Sequence, residues 1–82
     1  MKTVWLVIPC YNEEDVLPET AAKVKEVIEG LVEKNKISKD SKIAFVNDGS
    51  KDRTLEIIEK LCAEDSIYAL VNLSRKKYFQ LN

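Results

Sequence analysis

The feature that most constrains this chain is an alternation: three short, unbroken apolar runs are separated by two longer segments whose apolar residues recur every three or four positions. Val4-Trp5-Leu6-Val7-Ile8 is a continuous run of large, mostly β-branched or aromatic residues, the pattern of a strand covered on both faces in a parallel sheet. Ile43-Ala44-Phe45-Val46 is a second such run, and Ile67 to Leu73 holds a third. Between Pro18 and about Lys34, the residues Ala21, Val24, Val27, Ile28, Leu31 and Val32 fall at helical intervals with charged residues between them, which predicts an amphipathic helix. Pro18 suits a first helical turn, where its missing amide proton costs nothing, and Glu19 beside it favours the positive end of the helix dipole. A second helix follows Asp52, with Leu55, Ile58, Leu61 and Cys62 on one face.

Strand, helix, strand, helix, strand is the order of a parallel sheet with right-handed crossovers. The fold class is therefore α/β: a β-α-β-α-β half of a Rossmann-like doubly wound domain with a three-stranded parallel sheet. In such a sheet the turns starting at Pro9, Asn47 and Ser74 emerge on one rim, where open α/β sheets bind their ligands. The polar residues of those turns carry whatever chemistry the chain has.

Composition narrows that chemistry. Eighty-two residues allow one small domain. Thirteen basic residues against fourteen acidic ones leave a net charge of -1, without the basic excess that nucleic acid binding exploits, so no nucleic acid partner is expected. The sequence contains no histidine, which removes the commonest general base and metal ligand together with every Ser-His or Cys-His nucleophile. Cys10 and Cys62 are too far apart for a C-x-x-C pattern and too few for a disulfide framework, so reduced thiols and a cytoplasmic location are expected. The run Val4 to Ile8 ends at Pro9 and leads into Glu13-Glu14-Asp15, too short for a signal peptide or a membrane span.

The first turn reads Pro9-Cys10-Tyr11-Asn12-Glu13-Glu14. Pro9 ends the strand, Tyr11 offers a flat ring for stacking on a base, and the carboxylates can accept hydrogen bonds from ribose hydroxyls. A plainer alternative stays open, with Tyr11 a packing aromatic and the acids helix N-terminal charges. The second turn, Asn47-Asp48-Gly49-Ser50-Lys51-Asp52-Arg53-Thr54, places Asp48 where it can accept an N–H from a base edge. Gly49 lets backbone approach closely, and Ser50, Asp52 and Thr54 read as turn and capping residues. Asp48, Ser50, Asp52, Thr54 and Glu59 also mimic a calcium loop, but Arg53 occupies the position that needs glycine. Glu13 with Asp15 makes at most a short acidic pair, and no metal ligand set is assigned.

The string V-I-P-C-Y-N-E-E at Val7 to Glu14, followed by F-V-N-D-G-S-K-D-R-T at Phe45 to Thr54 and by L-S-R at Leu73 to Arg75, resembles family 2 glycosyltransferases of the GT-A fold. The polyprenyl-phosphate sugar transferases, of bactoprenol or dolichol type, are the nearest look-alikes. The resemblance implies that Pro9, Tyr11, Asn12 and Glu13 line a nucleoside pocket, with Glu13 near the ribose, and that Asp48 bonds the base of a UDP-, GDP- or dTDP-sugar. It also implies an intact parent enzyme that uses Mg²⁺ or Mn²⁺, with the metal ligands, the catalytic base and the acceptor site all beyond the third strand. On this reading residues 1–75 are the amino-terminal nucleotide-sugar-binding half of a GT-A domain and 76–82 a divergent tail. A frameshift, a premature stop or a fragmentary gene is the expected origin, and the 82-residue chain alone is expected to be catalytically incomplete, the alternative being a non-catalytic nucleotide-binding or interaction module or an inactive remnant. The parent is expected at the cytoplasmic face of a membrane, and an exposed first-strand edge is expected to promote self-association.

Overall fold

The structure, a computed structural model, describes residues 1–73. The turn beginning at Ser74, Arg75 of the L-S-R string and the tail 76–82 lie outside the described residues. The elements follow the predicted order: β1 (Trp5–Cys10), α1 (Leu17–Glu33), β2 (Lys42–Asn47), α2 (Thr54–Glu64) and β3 (Tyr68–Asn72). The three strands form one parallel sheet in the spatial order β1-β2-β3. This is the α/β, Rossmann-like half-domain read from the alternation.

With strands added in one direction, right-handed crossovers place both connecting helices on the same face of the sheet. The core shows this: Ile43, Phe45 and Tyr68 of the sheet bury against Leu17, Ala21 and Ile28 of α1 and Ile58 of α2. Phe45 and Tyr68 stack with ring centroids 5.6 Å apart, and the Tyr68 hydroxyl donates to the Ala21 carbonyl at 2.9 Å, tying β3 to α1.

Among the described residues, no helix covers the opposite face. Trp5 and Val7 remain 56% and 58% exposed, and Val71 is exposed as well. This corrects the expectation that β1 is covered on both faces: only half-buried Ile8 and buried Cys10 pack toward the helices, and even Leu6 on that side is 38% exposed. Pro9 also does not end the strand. It pairs in register with Val46, and β1 runs on to Cys10. The reason lies in the ladder. The carbonyls of Val4 and Cys10 accept from Lys42 and Asp48, so the even-numbered residues turn their backbone toward β2 and the odd ones toward the open edge. Pro9 thus lacks a proton where no partner stands, the tolerated position for proline in a strand.

α1 starts with Pro18 in its first turn and no side-chain cap. It ends at Asn35, whose φ of 57° is left-handed. The Lys36 and Asn35 amides reach back to the Leu31 and Val32 carbonyls, a Schellman closure in which asparagine replaces the usual glycine. Of the predicted apolar face, Val27 is 61% exposed and Leu31 lies at the margin of exposure. They fall on a flank of the helix, turned away from the stripe of Leu17, Ala21, Val24, Ile28 and Val32 that meets the sheet.

Candidate functional site: two polar loops on the carboxyl rim

Parallel pairing brings the ends of β1 and β2 side by side, Cys10 opposite Asn47, so the loops that follow them share one rim. Asp48 donates its amide to the Cys10 carbonyl at 3.2 Å, which sets it against the first loop. Beyond that point, side chains join the loops. The amides of Asn12, Glu13 and Glu14 donate in succession to the Ser50 hydroxyl at 3.0 Å, the Thr54 hydroxyl at 2.7 Å and the Asp52 carboxylate at 3.2 Å. In the other direction the Lys51 amide donates to the Asn12 side-chain carbonyl at 2.8 Å. Asn12 can do this because it adopts a left-handed φ of 51°, a conformation asparagine tolerates better than most residues. Gly49, at φ 71°, supplies the matching reversal in the second loop.

All five predicted site residues fall on this rim. Pro9, Tyr11, Asn12 and Asp48 are exposed and Glu13 is half-buried. Tyr11, 53% exposed, presents its ring to solvent and is not among the core residues. Asn12 has its side-chain carbonyl engaged with the second loop, leaving its NH₂ group for a ligand.

Asp52 lies two residues before the first residue of the second helix, just outside the N-cap position of Arg53, and accepts the Thr54 amide at 2.9 Å at the helix start. Desolvation works against its charge, but hydrogen bonds from Thr54 and Glu14 prevail and hold its carboxyl below the ordinary carboxylate range. Burial, reinforced by nearby Glu13, pushes the Cys10 thiol up, so it is an inert neighbour of the site.

Asn47, 2% exposed, is a rim residue whose role the sequence reading missed. Its NH₂ group donates to the Asn72 side chain at 3.1 Å, and its own carbonyl oxygen has no partner among the described residues. Such an orphan acceptor costs about 1–3 kcal/mol. The available signal was the cross-strand position: both asparagines end parallel strands in register.

A cleft of about 160 Å³ lies where β1 meets α1, lined by Pro9, Cys10, Glu13 and Leu17 among others. Ligand pockets usually span about 300–1,000 Å³, so the site formed by these residues is an open rim. Roomier clefts of about 320 and 470 Å³ open beside the amino ends of β2 and β3 and between the helices. They sit away from the carboxyl rim where ligands of open α/β sheets bind. Among the described residues no group of three or more Cys, Asp or Glu side chains converges to hold a metal ion. Nor is any described helix long and apolar enough to cross a membrane.

A three-stranded parallel sheet with two interlocked polar loops on its carboxyl rim has the arrangement of a Rossmann-like α/β fold, whose ligands bind at that rim. Comparison with known proteins makes this specific: residues 5–80 match glycosyl transferase family 2, and the chain belongs to that family. It is 53% identical over 53 residues to the uncharacterized glycosyltransferase YkoT of Bacillus subtilis, covering 65% of this chain and 16% of that protein. It is 32% identical over 80 residues to an undecaprenyl-phosphate 4-deoxy-4-formamido-L-arabinose transferase of Pectobacterium atrosepticum, covering 98% of this chain and 23% of the relative. With a prophage bactoprenol glucosyl transferase homolog of Escherichia coli it shares 37% identity over 70 residues, 85% of this chain and 21% of the relative. The chain thus spans about a fifth of the length of these curated relatives. No solved structure matches it.

Proposed function

We propose that this chain binds the nucleotide part of a nucleotide-diphosphate-sugar donor, as the amino-terminal half of a sugar-transferring domain. The observation that carries the reading is the joining of the Pro9–Glu14 and Asn47–Thr54 loops into one polar rim by the hydrogen bonds of Asn12, Glu13 and Glu14. In this reading Tyr11 stacks on the base, Asp48 accepts a base N–H, Glu13 accepts a ribose hydroxyl, and Pro9 and Asn12 complete the wall. UDP, GDP and dTDP donors all present a base N–H and a sugar 3′-hydroxyl, and UDP and GDP add the ribose 2′-hydroxyl.

The names of the relatives support a polyprenyl phosphate as acceptor, and a lipid acceptor of that kind would place the transfer at a membrane face, the cytoplasmic one in this proposal. A divalent cation, Mg²⁺ or Mn²⁺, would offset the charge of the leaving diphosphate from ligands other than the described residues. The division into a donor-binding half, residues 1–75, and a divergent tail, 76–82, belongs to the same proposal and rests on motif spacing. So does self-association through the open β1 edge, supported by the exposure of Trp5 and Val7.

Titration of the 82-residue chain with UDP, GDP and dTDP tests the central claim. Binding of at least one nucleotide that Asp48→Ala weakens about tenfold or more is expected, the loss of a hydrogen bond to a charged acceptor. Equal binding by Asp48→Ala, or none by the unaltered chain at millimolar nucleotide, would sink the reading.

A further inference from the structure

The cross-loop hydrogen bonds engage two residues that the nucleotide reading leaves without a role, Asp52 and Thr54. Thr54 is fully buried, and its hydroxyl does two things at once. It donates to the Asp52 carboxylate and accepts the Glu13 amide. The direction is dictated by chemistry: an ionised carboxylate only accepts, so the Thr54 proton must go to Asp52, which leaves the hydroxyl oxygen for Glu13. The second carboxylate oxygen of Asp52 crosses to the Glu14 amide, while the first also takes the Thr54 amide at the start of α2. Helix capping alone would use only one of those oxygens. The other is spent on the neighbouring loop, 38 residues earlier in the chain.

We propose that Asp52 and Thr54 are positioning residues of the donor site: their oxygens hold the amides of Glu13 and Glu14 so that Tyr11, Asn12 and Glu13 stand at a set distance from Asp48. The inference rests on the nucleotide reading above and deepens it. Neither residue touches the nucleotide. They act by presenting a preformed rim, so that binding spends little free energy on ordering two independent loops. Depression of the Asp52 pKa is in keeping with a carboxylate held charged by its partners at neutral pH.

Three variants separate positioning from capping. Asp52→Asn keeps a good cap, since asparagine and aspartate cap helices equally well, but presents one acceptor oxygen in place of two. Thr54→Val removes the hydroxyl at nearly constant volume, and Thr54→Ser restores it. Amide hydrogen exchange read by NMR and calorimetric titration with UDP, GDP and dTDP are measured on the same 82-residue samples. In Asp52→Asn, we expect faster exchange at Glu14, a modestly lower melting temperature at pH 7 because the carboxylate held charged by the fold is gone, and nucleotide affinity lower by about tenfold. Thr54→Val should release the Glu13 amide and weaken binding similarly, and Thr54→Ser should recover both to within about threefold. Unchanged affinity in Asp52→Asn and Thr54→Val alongside faster exchange at Glu13 and Glu14 would overturn the positioning role. Unchanged exchange at those amides would overturn the latch itself. Failure of the unaltered chain to bind any of UDP, GDP and dTDP would remove the donor site, and the positioning role with it, whatever the exchange pattern.

Discussion

Asp65 illustrates how single residues in this chain serve two elements. Its carboxylate pairs with Lys25 of α1 and accepts the Ile67 amide at the entry to β3. The Lys25 ammonium, foremost, and that amide hold its carboxyl below the usual range. A group whose folded pKa lies below its unfolded value stabilises the fold above the unfolded pKa and ceases to as pH falls through the folded one. The contribution of Asp65 should therefore be complete at neutral pH and fade below about pH 4. In urea melts, Asp65→Asn is expected to be less stable than the unaltered chain at pH 7, with the gap closing on acidification. A gap of constant size would contradict the assignment. Gly49 tests backbone strain in isolation, because an added Cβ there meets nothing within 4 Å while φ is 71°. Gly49→Ala should cost about 1 kcal/mol in thermal or chemical denaturation, from conformation alone. The glycine was legible in the sequence as a turn former. The left-handed φ of Asn12 was not, since it depends on a loop that lies 38 residues away.

Helix α1 separates what periodicity reveals from what it leaves open. Its apolar residues predict a helix, and a helix forms, but the predicted face was broader than the one the sheet covers. Ile28 is 4% exposed and Val27 61%. Ile28→Ala should cost about 2–5 kcal/mol through the cavity it leaves, whereas Val27→Ala should stay within about 0.5 kcal/mol, both read from denaturant midpoints at constant slope. Similar losses at the two positions would mean that α1 packs through a different stripe. At β3, Tyr68→Phe removes only the hydroxyl that reaches the Ala21 carbonyl. A loss of about 1 kcal/mol is expected, with the sheet retained by circular dichroism.

For the molecule as a whole, the decisive fact is that both helices lie on one side. The other face presents Trp5, Val7 and Val71, and the backbones of Trp5, Val7 and Pro9 line an open edge. Exposed apolar surface beside an unpaired edge drives association. Sedimentation velocity should show the 82-residue chain associating as concentration rises, and Val7→Lys should shift it toward monomer at little cost in stability, because Val7 is 58% exposed. A chain that stays monomeric at high micromolar concentration would remove this prediction.

The sequence by itself determined the elements, their order and the rim on which the two motif-bearing loops meet, because these follow from local periodicity, turn chemistry and the handedness of crossovers. The positions of Tyr11, Asn12, Glu13 and Asp48 on that rim were readable for the same reason: each stands within three residues of a strand end. Only the tertiary structure decided which face of the sheet the helices cover, that Pro9 sits at an open edge inside β1, and that Ser50, Asp52 and Thr54 hold the first loop as well as start the second helix. Those outcomes depend on which strand lies beside which and on hydrogen bonds between residues about forty positions apart, and a one-dimensional pattern of apolar and polar residues carries neither.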